Sequence, residues 1–169
     1  MDISIIVIGD ELLIGQVVDT NSGDIARMVS PYGWSVRDVV TVHDDAAAIK
    51  DAIGRALSQS DVVLTTGGLG PTKDDITKAT LCDIFGGGMH LDEGVLDNVN
   101  GIFRKRGLQM NDLTRSQAMV PDACRVIPND LGTAPVMWFE RDGKVLVSMP
   151  GVPFETRHAF SAHVLPALL

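Results

Sequence analysis

The segment "DVVLTTGGLGPTKDDIT", residues 61–77, joins groups with opposed chemical uses. Gly67, Gly68 and Gly70 bare the backbone, so that its N–H groups can approach an anion closely. Asp74 and Asp75 repel phosphate unless a cation lies between, and Mg²⁺ commonly takes one or two carboxylates together with ligand phosphates. Lys73 could offset phosphate charge, although a loop lysine is more commonly just solvated. Two other places repeat the acidic element. Asp10 and Glu11 follow the apolar run at 3–8, and Asp44 and Asp45 follow "VTVH". One acid of a pair at such a position ordinarily caps the next helix. The plain reading of the glycines is a tight strand-to-helix turn that serves sterics alone. The segment is not a Walker loop, because no Gly-Lys-Ser/Thr follows, and Pro71 interrupts the dinucleotide fingerprint.

These groups can cooperate only if the elements before them end side by side. Residues 3–8 form a continuous apolar run, the pattern of a strand buried on both faces. A helix capped by Asn21 or Ser22 turns Ile25, Met28 and Val29 inward and stops at Pro31-Tyr32-Gly33. Residues 34–42 are β-branched and mostly alternating, hence a second strand. In residues 44–60, Ile49, Ala52, Ile53, Ala56 and Leu57 share one helical face. A third strand at 62–65 precedes a helix at 75–85 that three glycines stop. Residues 92–107 form an amphipathic helix with Val95, Val99, Ile102 and Phe103 inward, and 113–120 a short helix. Asp142-Gly143 marks a two-residue turn within a hairpin at 136–149. Pro153 opens a closing helix over 151–165. This alternation predicts one α/β domain, residues 1–169, with a mostly parallel sheet covered on both faces. Ligands of such sheets collect at the carboxyl ends of the strands, the rim where all three acidic pairs are expected.

Composition bounds the function. A chain of 169 residues with 45% apolar and 21% charged residues builds one ordinary core. A net charge of −8 argues against a dedicated nucleic-acid binder but leaves a small anionic ligand open. Cys82 and Cys124 lack metal spacing and read as reduced, buried small hydrophobes. The start lacks a basic leader region, and its apolar run is too short to span a bilayer, so a cytoplasmic protein is expected. His43 reads as incidental. His90, His158 and His163 show no ligand spacing, the last two standing five apart and off the i, i+4 face. Ser22 and Ser148 lack a base for nucleophilic chemistry, and Trp34 and Trp138 read as core or interface residues.

"IIVIGDELLIGQVVDTNS", "TTGGLGPTKDDITKAT", "IPNDLGTAP" and "MPGVPFE" occur here in that order. Together they resemble the amino-terminal domain of the CinA, or competence/damage-inducible, proteins. Those belong to the molybdopterin-binding superfamily of MogA, MoaB, gephyrin and MoeA. The resemblance implies a three-layer α/β/α sandwich with a small β-hairpin, binding a nucleotide or phosphorylated pterin at its loop edge. It assigns the phosphate cradle to Thr66, Gly67, Gly68, Leu69, Gly70 and Thr72, and pocket walls to Gly132, Thr133, Ala134, Pro150, Gly151 and Glu155. It assigns the acids to Asp44, with Asp45 as alternative register, and to Asp75. Asp44, Asp75 and Asp74 are the candidate ligands of a divalent ion (Mg²⁺, Mn²⁺ or Co²⁺). Asp44, Asp75 and Glu11 are the candidate catalytic residues, Glu11 or Asp74 activating water. The resemblance implies metal-dependent ADP-ribose pyrophosphatase activity. Its rivals are adenylyl transfer to molybdopterin and a binding or assembly module without turnover. It also implies a homo-oligomer, dimer or trimer. Leu69, where the dedicated molybdopterin enzymes usually have Thr, favours the CinA branch. Val136, where many relatives have Gly, is expected to crowd the pocket against a pterin.

Overall fold

The structure is a computed structural model that describes residues 1–70 and 74–169. The side chains of Asp74, Asp75, Leu113 and Thr114 also lie outside that description. β1 (Asp2–Ile8) leads through a short α1 (Asp10–Leu13) and α2 (Asn21–Val29) to β2 (Ser35–Val42). Then come α3 (Ala46–Gln59), β3 (Val62–Gly67), α4 (Asp74–Phe85), β4 (Met89–Leu91), α5 (Glu93–Lys105) and α6 (Asp112–Arg115). After β5 (Met119–Pro121) and β6 (Arg125–Ile127), β7 (Val136–Arg141) turns back through Asp142-Gly143 into β8 (Lys144–Met149). The chain closes with α7 (Pro153–Ala159), a π turn (Phe160–Val164) and α8 (Leu165–Leu168).

The main sheet runs β2-β1-β3-β8-β7-β6. The pairs β1/β2, β1/β3 and β3/β8 are parallel, while β7 runs against β8 and β6. The hairpin is therefore not an appendage; β8 extends the parallel sheet and β7 begins its antiparallel margin. A second small sheet pairs β4 with β5. Strand periodicity divides the core. Ile3, Ile5 and Val7 of β1 pack with Ile25, Val29, Phe160 and Val164 on one face. Ile6 and Ile8 meet Ile49, Ile53 and Leu81 on the other. A third cluster, Val95, Val99 and Ala118, lies under α5. The result is a three-layer sandwich.

Several expectations need correction. Residues 113–120 are not one helix, because α6 gives way to a 3₁₀ turn and Met119 enters β5. Pairing with His90 and its neighbours overrides local preference there. α2 is capped neither by Asn21 nor by Ser22; the Asp19 carboxylate accepts from the Ser22 amide and hydroxyl. Ile102 is half-buried and stands outside the cluster that takes Val95 and Val99. The two cysteines are free but only half-buried, and burial pushes the Cys124 thiol up to about 12. Asp45 does cap α3, accepting from the Ala48 amide at 2.9 Å.

Candidate functional site

β1 continues toward the β2 side of the sheet, whereas the chain leaving β3 is carried to the β8 side. Their carboxyl ends flank the point where the strand order reverses, the crevice where doubly wound sheets receive ligands. A cavity of about 430 Å³ opens there, within the ordinary range for small-molecule sites. Ile8, Glu11, Asp44, Thr66, Gly67, Gly68, Leu69, Gly70 and Gly151 contribute to its wall. A second cavity of about 220 Å³ shares Leu69, Gly70 and Gly151 with it and adds Gly132, Thr133, Ala134, Pro150 and Glu155. Residues 67–70 thus divide two adjoining chambers. Among the expected site residues, Thr72 and the side chains of Asp74 and Asp75 lie outside the described residues.

The loop is shaped by contacts on both sides. Gly67 and Gly68 adopt φ of 90° and 71°, the left-handed region that glycine enters without strain. A Cβ at residue 67 would overlap the Ile8 carbonyl oxygen of the neighbouring strand. The Thr77 hydroxyl donates to the Gly68 carbonyl at 2.8 Å, and Gln117 Nε2 donates to the Leu69 carbonyl at 3.1 Å. With both carbonyls turned to these donors, trans peptide geometry points the Leu69 and Gly70 amides the opposite way. Lys78, almost fully buried, supports the same base by donating to the Ser116 and Gln117 carbonyls at 3.3 and 3.1 Å.

The acids separate into different duties. Asp44 is half-buried on the wall of the larger cavity, and its Oδ1 lies 3.5 Å from where a Gly68 Cβ would stand. Asp10 positions it: Asp10 Oδ1 accepts from the Asp44 amide at 3.1 Å and pairs with His43 Nδ1 at 2.9 Å. His43, dismissed from sequence, helps tie the ends of β1 and β2. Glu11 lies on the wall with its carboxylate folded against Gly9.

The second chamber is held by side chains. Asn129 Nδ2 donates to Ala134 O at 2.7 Å and to Glu155 Oε1 at 3.0 Å, while Asn98 Nδ2 reaches Asn129 O and Gly132 O. Val136 does not crowd either chamber; its side chain is fully buried with Ile127 and Trp138 in the core. Sequence reasoning missed Asn21 as a wall residue. It is 6% exposed, donates Nδ2 to Gly151 O at 3.0 Å, and presents an Oδ1 with no hydrogen-bond partner among the described residues. Thr66 Oγ1, also on that wall, likewise has no partner among the described residues.

Fold and cavity define a class: a doubly wound α/β domain with its cleft at the switch point of the sheet. The family model described as "Probable molybdopterin binding domain" matches residues 4–169. The chain is 40% identical over 173 residues to a CinA-like protein of Flavobacterium psychrophilum, matching all of this chain and 41% of that one. It is 45% identical to a CinA-like protein of Cytophaga hutchinsonii, covering 93% of this chain and 38% of the relative. It therefore spans about two-fifths of the length of these curated relatives. The crystal structure of the protein CinA "with unknown function" from Thermoplasma acidophilum superposes with a TM-score of 0.86 at 34% identity, covering 98% of this chain and 96% of that one. MoaB of Thermus thermophilus, a molybdopterin biosynthesis enzyme, shares the fold at 19% identity and a TM-score of 0.66, over 99% of this chain and 91% of its own. The chain belongs to the molybdopterin-binding domain family, and within it to the CinA proteins. No helix among the described residues is long and apolar enough to cross a membrane.

Proposed function

We propose that the domain binds a diphosphate-bridged nucleotide across the two chambers and hydrolyses its phosphoanhydride with a divalent ion. ADP-ribose is the substrate class that the CinA resemblance implies. The observation that carries this reading is Asp44, a positioned carboxylate beside a glycine loop at the strand-order reversal. The donors on that wall are oxygens, from Asp44 and Glu11, and oxygen donors suit Mg²⁺ or Mn²⁺. Asp44 would hold the ion, with Asp75 or Asp74 as the expected second carboxylate. When bound, such an ion polarises a phosphoryl oxygen and offsets the charge that develops on it.

The protein groups then have separable tasks. The Leu69 and Gly70 amides donate to the non-reacting phosphate. Asn21 Oδ1 accepts from a ligand hydroxyl or amine, which satisfies a buried acceptor. Glu11 takes the proton of the attacking water, and the smaller chamber receives the far end of the ligand. Water adds at phosphorus, the bridging P–O bond breaks, and ADP-ribose yields AMP and ribose phosphate.

ADP-ribose, FAD, NAD and ATP, each with Mg²⁺, Mn²⁺ or Co²⁺, form the test panel, with AMP release as the readout. ADP-ribose is expected to release AMP, and Asp44→Asn to lower kcat at least 100-fold with the fold intact by circular dichroism. Undiminished turnover in Asp44→Asn refutes the assignment. Adenylyl transfer to molybdopterin is the second reading, favoured by the burial of Val136 away from both chambers; saturable pterin binding without AMP release would favour it, or a binding module without turnover, over hydrolysis. Self-association as dimer or trimer belongs to the same proposal. It is supported by the exposed apolar Ile14 and Val18 near the cleft and is tested by light scattering.

A further inference from the structure

A second cluster lies outside both chambers. Among the described residues, Asp130, His158 and His163 are the one group of three potential metal ligands, with donor atoms all within 4.8 Å of one another. Sequence spacing argued against it. Residues five apart on an α-helix point about 140° away from each other. The helix here is not α throughout: Phe160–Val164 forms a π turn, whose i→i+5 bonding stacks residues five apart. Pro166 follows one residue after Leu165 takes up the chain and cannot donate to the carbonyl four residues back, a local reason for the ladder to widen.

The widened turn brings both imidazoles to one carboxylate oxygen. His158 Nε2 lies 3.0 Å and His163 Nε2 3.2 Å from Asp130 Oδ2, and the two rings stand nearly perpendicular at 87°. Ligand atoms about 2.0–2.1 Å from a tetrahedral ion are roughly 3.3 Å apart, so these separations need to open by only a few tenths of an ångström. All three side chains are partly exposed, which leaves positions for water.

We propose that Asp130, His158 and His163 form a binding site for a borderline divalent transition ion of the Zn²⁺ class. Two imidazole nitrogens and one carboxylate suit Zn²⁺, Co²⁺ or Ni²⁺ over Mg²⁺, the reverse of the all-oxygen wall at Asp44. The ion takes the place of the hydrogen bonds that join the rings to the carboxylate. Its structural effect follows from its neighbours. Asp130 is adjacent to Asn129, which holds Ala134 O and Glu155 Oε1. An ion at this cluster clamps the loop at 129–135 onto the final helix and so rigidifies the wall of the smaller chamber.

The test uses the untagged, chelator-treated chain titrated with Co²⁺ as a spectroscopic probe, with Zn²⁺ as competitor. With excess Mg²⁺ present to occupy the all-oxygen cleft, the expected result is one Co²⁺ per chain, visible d–d absorption that Zn²⁺ abolishes, and a Tm that rises with Zn²⁺. The His158→Ala/His163→Ala variant, checked for folding by circular dichroism, should bind at least 10-fold more weakly and lose the Zn²⁺-dependent rise. Asp130→Asn should weaken binding in the same direction, and Asp44→Asn should retain it. Equal Co²⁺ binding in wild type and the double histidine variant overturns the proposal, as does wild-type protein that binds no Co²⁺. Neither readout involves AMP release, so failure here is separable from failure at the cleft.

Discussion

The loops at 67–70 and 129–135 face the same divided cleft and are built on opposite plans. In the first, the glycine at residue 67 is required by backbone: a Cβ there meets the Ile8 carbonyl, an atom fixed in the sheet. In the second, the glycine at residue 132 is required by a side chain: a Cβ there meets the Glu155 carboxylate. The first loop inherits its shape from strand pairing. The second is assembled by Asn98, Asn129 and Glu155. A loop made of backbone constraints fixes the position of its amides, as a phosphate cradle requires. A loop made of side-chain contacts can be altered residue by residue, as a specificity wall requires.

The strongest way to break this comparison is alanine at each glycine. Gly67→Ala combines φ of 90° with a clash against main chain, and it is expected to cost more than about 3 kcal/mol or to prevent folding. No truncation of a neighbouring side chain should rescue it. A variant that folds with wild-type Tm in thermal denaturation would show that the strand ends can part.

Gly132→Ala is expected to cost about 1–3 kcal/mol, because Glu155 must leave its bond to Asn129. Here rescue is expected. In a Glu155→Ala background the same substitution should cost about 1–2 kcal/mol less, a coupling read by a double-mutant cycle in urea. Strict additivity would mean that the second loop is also held by its backbone.

Thr77→Val sharpens the same distinction at smaller scale. It preserves shape but leaves the Gly68 carbonyl without the hydroxyl that now bonds it, for a loss of about 1 kcal/mol. Amide exchange should accelerate in residues 67–70 and remain unchanged in 129–135. Equal acceleration in both loops would show that the two chambers do not have separate supports.

These plans were unequally legible in sequence. The apolar run of β1, the one-sided periodicity of α3 and the Asp142-Gly143 turn are local signals, and each produced the expected element. The glycine loop was legible because glycine and proline restrict the chain on their own account. β4 and β5 were not: each is three residues long and exists only through the other. Gln117 and Lys78 carry no local signal of burial, and only tertiary packing makes them the buried base of the loop. Asn21 read as a cap, a role that the sequence assigns as readily as it could assign Asp19. The pairing of His158 with His163 was hidden because i, i+4 reasoning assumes an unbroken α-helix, and no single residue announces a π turn.

The smallest expected effect concerns the bolt between the helices behind the two chambers. α2 contributes Asn21 to the larger chamber, and α7 contributes Glu155 to the smaller. Asp24 joins them, bonding Arg27 at 2.6 Å within α2 and Arg157 at 3.2 Å on α7. Hydrogen bonds from Arg27 and then Arg157 hold the Asp24 carboxyl below its ordinary value of 3.8. A carboxyl lowered in the folded state adds stability that is present above its unfolded pKa and lost as pH falls through the folded one. Asp24→Asn should therefore lower Tm slightly at neutral pH, and the gap to wild type should close as pH drops below 3.8. Because both arginines are exposed, added salt should shrink the gap as well. A gap that is constant from pH 7 to pH 3 would mean that Asp24 acts through packing rather than charge, and that the chambers are coupled through the sheet instead of through the α2–α7 pair.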